Sequence, residues 1–207
     1  MADQNSKQRF AFPIDDSSVA GFREWLFCPG MLFQAAGKWW GDRGLRPRPH
    51  EGLDLLFYRD SENNLRQIDE SLEIPVMADG VVVSVIRDFL GKSIIVEHPS
   101  LSDKPGNILT FYAHATPRDN IHAGLALRRG DIIASVAGPG RTATAMTPHL
   151  HISVARTRLP IAYDELNWDI IGATEMLTLL DPLQFIDFPY RIAGADDLAC
   201  RSLPRRA

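Results

Sequence analysis

Short apolar runs, several of them alternating with polar residues, follow one another through the middle of the chain and are separated by turns. That is the pattern of β-strands with one face turned to a core. Residues 76–86 carry Val81, Val82, Val83, Val85 and Ile86 around an Asp79-Gly80 turn, and residues 93–97 carry Ile94, Ile95 and Val96. Residues 108–114 set Leu109, Phe111 and Ala113 against Thr110, Tyr112 and His114, and residues 131–137 and 149–155 complete the set. Five or more short strands with no helical pattern between them predict a mainly β fold, an antiparallel β sandwich or curved sheet rather than an α/β arrangement. Only residues 166–180 show roughly helical spacing, through Ile170, Ile171, Met176, Leu177 and Leu180, until Asp181-Pro182 stops them. One or two peripheral helices are therefore expected.

The flanks read differently. Residues 1–20 are expected to form a flexible or loosely attached arm. Residues 21–40 are rich in aromatics (Phe22, Trp25, Phe27, Phe33, Trp39, Trp40), a composition that suits core or groove lining. The Gly41-Asp42-Arg43-Gly44 turn and the prolines of residues 46–49 then predict irregular backbone. After Pro189 the chain is expected to be irregular, with residues 201–207 a solvated tail. The division expected is an arm (1–20), one domain (21–187) and a tail (188–207). At 207 residues the chain is long enough to bury a proper core.

Composition removes some classes of function. A net charge of −4 argues against nucleic acid as the main partner, since phosphate binding needs an excess of Lys and Arg. No apolar run approaches the roughly 20 residues of a membrane helix. The first dozen residues lack the basic-then-apolar layout of a secretory leader. Cys28 and Cys200 are far apart and match no CxxC pattern; with no leader in view, the expectation is two unpaired thiols, buried or free.

The candidate chemistry lies in three clusters: His50-Glu51-Gly52-Leu53-Asp54, Tyr112-Ala113-His114 and His149-Leu150-His151. They hold four of the six histidines of the chain. On a strand, residues two apart share a face, so His149 and His151 project together while Leu150 and Ile152 turn to the core. Tyr112 and His114 stand in the same relation one strand earlier, which predicts three imidazoles on one polar floor. His50 and Asp54 can turn toward one cation if the backbone curls at Gly52. With one imidazole of the strand pair they make a His₂Asp set that leaves zinc an open position, where bound water has a pKa near ~7. His98, before Pro99, and His122, before Ala123-Gly124, sit at turns and are expected to be solvated. Glu51 is set aside as a general base because His50 and Asp54, as ligands, point elsewhere.

Taken with Pro75–Val82, Arg129-Gly130-Asp131-Ile132-Ile133, Thr147-Pro148 and Asp181-Pro182-Leu183, these clusters resemble the M23 metallopeptidases, the LytM/lysostaphin-type zinc endopeptidases of the bacterial cell wall. Order and most spacings agree over roughly residues 40–187. The resemblance implies that His50, Asp54 and His151 are zinc ligands. It implies that His114 and His149 are non-ligand catalytic histidines, and that the fold carries its zinc on the floor of a long groove. The chain departs from the pattern in the loop of residues 138–148, in Ala115 after the Tyr-Ala-His motif, and in two added stretches, 55–74 and 160–180.

The expectation is thus a zinc-dependent endopeptidase acting on a cross-link or stem peptide of peptidoglycan. His149 or His114 accepts the water proton and returns one to the leaving amine. Two other readings remain: a catalytically inactive module of the same fold that binds peptidoglycan or regulates an amidase, and a cytoplasmic zinc hydrolase acting on another peptide. The substrate class places the enzyme in the cell envelope, although no signal peptide is visible.

Overall fold

The structure is a computed structural model that describes residues 19, 21–101, 105–138, 146–171, 175–185, 187–194, 197 and 199–200. Apart from Val19, the expected N-terminal arm lies outside the described residues, as does the tail of residues 201–207. The architecture is mainly β, as the alternation predicts. Its strands are β1 (Phe22–Phe27), β2 (Leu53–Leu55), β3 (Phe57–Asp60), β4 (Leu65–Gln67), β5 (Glu73–Pro75), β6 (Gly80–Arg87) and β7 (Lys92–His98). They continue as β8 (Ile108–Pro117), β9 (Ala126–Leu127), β10 (Ile132–Val136), β11 (Leu150–Thr157), β12 (Leu177–Leu180) and β13 (Tyr190–Ile192). An α-helical turn, α1, spans Trp168–Ile171, and Ala199 and Cys200 are also helical.

Nine strands form the larger sheet, with the path β12-β11-β8-β7-β6-β9, β10 pairing with β5 and β8, and β2 pairing with β11. All of these pairings are antiparallel. The added stretch 55–74 supplies β3 and β4 to a second sheet of order β13-β1-β3-β4. One large core joins the two sheets, with Trp25, Phe27, Leu55, Ile74, Met77, Ile94, Tyr112 and Ile152 among its members. On the opposite face of the large sheet, Ile95, Leu109, Phe111 and Ala155 pack with Leu166, Ile171 and Leu177. The described residues of the second added stretch therefore cover that face, through Leu166, Ile171 and Leu177. This is why the first eight residues of β8 are all buried although their sequence alternates.

Three expectations are corrected here. Residues 166–180 do not form a helix: after α1, Leu177–Leu180 is a strand paired antiparallel with Val154–Thr157. The edge of β11 is occupied by β2 only as far as Ile152. The unpaired backbone groups beyond it must be satisfied, and that requirement outweighs a weak helical spacing. The segment after Pro189 is not irregular throughout, because Tyr190–Ile192 pairs in parallel with Trp25–Phe27 and Phe188 and Ala193 are buried. Cys28 and Cys200 are not free thiols but a disulfide spanning 172 residues of sequence. Removing a bridge of this kind costs roughly 2–5 kcal/mol.

His98 is a fourth correction. Its ring is fully buried, with Nδ1–H donating to the Asp79 carbonyl at 2.8 Å and Nε2 accepting from the Thr110 hydroxyl at 2.8 Å. His122, by contrast, is exposed at its turn. Burial pushes the His98 pKa below the ordinary value of 6.5. Between the folded and unfolded pKa the unfolded chain binds more protons, so the stabilisation is complete above about pH 6.5 and is lost as pH falls below it. Urea unfolding of wild type and His98→Gln at pH 7.5 and pH 5 tests this. The variant should be the less stable at pH 7.5, and the gap should narrow at pH 5.

Candidate metal centre and active site

The site forms where β2 lies against β11. Their register sets Asp54 directly opposite His151, and His151 in turn opposite Ala113 of β8. Gly52 permits this by closeness rather than by curling. A Cβ there would stand 2.2 Å from the Ile152 carbonyl oxygen and 2.8 Å from His151 Nε2. His50 is fixed through its backbone, which donates to the Ala35 carbonyl and accepts from Gln34 N–H.

His50 Nε2, Asp54 Oδ1 and His151 Nδ1 converge to a triangle with edges of 3.1, 3.1 and 2.7 Å. Among the described residues these three form the group able to hold a metal ion. The donor set fits a cation. His50 Nδ1 faces the Leu32 carbonyl at 3.0 Å, and a carbonyl only accepts, so the proton sits on Nδ1 and the Nε2 lone pair points inward. When His151 Nε2–H donates to Ser153 Oγ at 2.8 Å, its Nδ1 lone pair points inward too. Two nitrogen lone pairs and a carboxylate oxygen at this separation repel one another unless a positive charge lies between them. Two imidazoles and one carboxylate are a zinc-type ligand set with room for a fourth group.

Asp54 is almost fully buried. Burial raises its pKa, but the imidazoles of His50, His149 and His151 gathered around it outweigh this and hold it well below the usual carboxylate range. Its second oxygen is spoken for as well: the Trp39 indole N–H donates to Oδ2 at 2.6 Å, and Arg46 Nη2 stands 3.6 Å away while donating to the Gly30 carbonyl. Oδ1 is left to the cluster. Burial pushes the His149 pKa down to about 3 and that of His151 down to about 4, so both rings are neutral near pH 7.

His149 and His114 stand beside the triangle. The His149 ring donates from Nδ1 to the Thr147 carbonyl at 2.9 Å, and its Nε2 lies 3.6 Å from Asp54 Oδ1. The Trp39 ring meets it edge-on at 4.9 Å. His114 reaches the same floor by a route that alternation does not predict. Strict alternation would put His114 on the face of Tyr112, and Tyr112 points into the large core, its hydroxyl accepting from Met77 N–H at 2.8 Å. At His114 the strand bulges, two residues (Ala113 and His114) opposing Ser93, and His114 takes φ +59°. That turns its ring to within 4.8 Å of the His149 centroid. A left-handed conformation in a residue other than glycine costs about 1–3 kcal/mol. It is held by Asp88, which binds both the backbone N–H and the ring of His114.

The cleft above the floor is walled by Trp40, Phe89, Met146 and Trp168, with Arg46 and Glu51 as its charged members. Trp168, from the second added stretch, stacks edge-on against His151 at 5.4 Å. The structure thus brings all five expected positions, His50, Asp54, His114, His149 and His151, to one place. It adds Trp39, Arg46, Asp88 and Trp168, which sequence reasoning did not single out as site residues. Only Trp39 carried a signal, the aromatic run read as groove lining. Most of the 138–148 loop lies outside the described residues.

Fold and site together define a mainly β protein whose His/Asp/His cluster is capable of chelating a metal ion, with features consistent with a metallopeptidase active site. The family model described as Peptidase family M23 matches residues 64–163, just under half of the chain. The matched part contains His114, His149 and His151, while His50 and Asp54 precede it. No curated protein matches the chain. Among solved structures, the antimicrobial peptidase lysostaphin from Staphylococcus simulans is 20% identical over 67% of this chain and 45% of its own, with a TM-score of 0.40. A solution structure of lysostaphin is 16% identical over 66% of this chain and 42% of its own, at 0.43. Helicobacter pylori Csd3 is 19% identical over 77% of this chain and 34% of its own, at 0.42. The chain spans less than half the length of these proteins, and likeness at this level carries no functional argument.

Trp39 ties down the oxygen of Asp54 that faces away from the cluster. Replacing it by Phe keeps the ring but removes the N–H. Zinc affinity, measured by competition with a chromogenic chelator, should fall about 10–100-fold. Unchanged affinity would show that the indole N–H does not orient the carboxylate.

Proposed function

We propose that this chain is a zinc-dependent endopeptidase that hydrolyses peptide bonds of bacterial cell-wall peptidoglycan, in a cross-link or a stem peptide. The observation that carries the reading is the convergence of His50 Nε2, Asp54 Oδ1 and His151 Nδ1, with two further imidazoles within reach on the same floor. In this reading His50, Asp54 and His151 hold the ion. When bound, zinc supplies Lewis acidity and a nucleophile available near neutral pH.

The chain's own residues supply the rest. His114 and His149 stand where they can carry protons between the nucleophile and the leaving amine. The apolar walls from Trp40, Phe89, Met146 and Trp168 exclude water along an extended peptide. Arg46 and Glu51 offer it one charge of each sign. An inactive module would have no need to keep two proton-handling histidines beside an intact ligand triangle, which weighs against the binding-only alternative. The proposed location is the cell envelope. The Cys28–Cys200 disulfide supports it, because such bonds persist in oxidising compartments. No helix among the described residues is long and apolar enough to cross a membrane.

Metal analysis of purified protein should give one zinc per chain. His50→Ala, Asp54→Ala and His151→Ala should each lose it. His114→Ala and His149→Ala should keep it while turnover of peptidoglycan fragments, followed by mass spectrometry, falls by the ~10²–10⁴ typical of lost acid–base catalysis. Stoichiometric zinc in all three ligand variants would overturn the ligand assignment. Zinc-loaded wild type that binds peptidoglycan without releasing peptides would favour the binding module.

A further inference from the structure

The turn between β6 and β7 holds a buried carboxylate outside the ligand triangle. Asp88 has no exposed side-chain surface. Its Oδ1 accepts from Leu90 N–H at 2.9 Å, from Gly91 N–H at 2.7 Å and from the His114 ring at 3.1 Å. Its Oδ2 accepts from His114 backbone N–H at 2.9 Å and from the Ser93 hydroxyl at 2.7 Å. The Trp168 indole donates to the same Ser93 oxygen at 3.0 Å, joining the wall that packs on His151 to this carboxylate.

With five donors around it, the Asp88 carboxylate has no place for a proton of its own. Burial raises its pKa, but the hydrogen bonds and charge of His114 and the Ser93 hydroxyl outweigh that and leave it well below the usual range. An ionised carboxylate only accepts, so the His114 nitrogen facing it, Nδ1, must carry the ring proton. The lone pair is then on Nε2, the nitrogen on the far edge of the ring from Asp88. His149 has no carboxylate at its Nδ1, which is anchored to a neutral carbonyl; its carboxylate neighbour, Asp54, lies 3.6 Å from Nε2.

We infer that Asp88 is a positioning residue that fixes both the bulged backbone and the Nδ1–H tautomer of His114, and thereby makes His114 the imidazole that accepts the proton of the attacking water. The inference rests on the peptidase reading given above. In the step it describes, a water O–H bond breaks and an Nε2–H bond forms as the oxygen adds to the scissile carbonyl. The imidazolium so made is paired with the Asp88 carboxylate, and it gives that proton to the leaving nitrogen as the C–N bond breaks. A base oriented by a buried carboxylate is the generalised logic of catalytic triads, reached here from a turn residue and a strand bulge.

Two measurements on the zinc-loaded protein test this. Long-range ¹⁵N–¹H correlation spectra of wild type should show His114 with Nδ1 protonated and Nε2 bare. A cycle of Asp88→Asn, His114→Ala and the double variant should show Asp88→Asn alone lowering kcat about 10²-fold, with zinc content and KM kept, and adding nothing in the His114→Ala background. The same loss in both backgrounds, no loss in either, or a wild-type His114 protonated on Nε2 would overturn the proposal. Should Asp88→Asn fail to fold, the wild-type tautomer decides. Should the zinc-loaded wild type cleave no peptidoglycan peptide, it is the peptidase reading that fails, and the tautomer still decides whether Asp88 orients His114.

Discussion

A carboxylate removed from water costs several kcal/mol unless cations or hydrogen-bond donors replace its hydration. Asp54 is such a group, buried where β2 crosses the start of β11. Its compensation comes from two separate parts of the chain. Trp39, Arg46 and His50 come from the long connection between β1 and β2; His149, just before β11, and His151, within it, come from the other. The connection is itself held from behind. Gly30 and Leu32 present their carbonyls to Arg46 and His50, and Cys28, at its start, is bonded to Cys200 near the far end of the chain. A residue count that would leave this connection loose is thus drawn tight around one negative charge.

Both faces of the large sheet serve the same end. One face packs against the second sheet, which β3 and β4 build together with β1 and β13. The other is covered by Leu166, Ile171 and Leu177, and it is on this face that His151 meets Trp168. The two added stretches are therefore not ornaments at the edge of a fold. One completes the packing behind the His50/Asp54/His151 cluster, and the other builds a wall beside it.

The strands and the clustering of the site histidines were legible because each rests on a local signal: alternation marks a strand, and His149-Leu150-His151 puts two rings on one face by period alone. What escaped was set by contacts between distant residues. A strand edge left open beyond Ile152 turned residues 177–180 into β12, against their helical spacing. Burial beneath Thr110 and Asp79 made His98 a core residue, although Pro99 beside it suggests a turn. The bulge at His114 cannot be read from Tyr112-Ala113-His114, whose alternation predicts that Tyr112 and His114 share a face. The floor of three imidazoles is real, but it is reached by breaking the period. Asp88 carries no sequence mark beyond a turn residue near glycine, and Cys28 and Cys200 are too far apart for spacing to pair them.

The central claim is that Asp54 is buried in order to hold a divalent cation with His50 and His151. Anomalous diffraction at the zinc edge, from crystals of the zinc-loaded protein, tests it most directly. The account predicts one strong peak bonded to His50 Nε2, Asp54 Oδ1 and His151 Nδ1, with His114 and His149 outside bonding distance. A peak bonded to His114 or His149 in place of these atoms, or no peak at the triangle in crystals that hold zinc elsewhere, would contradict it.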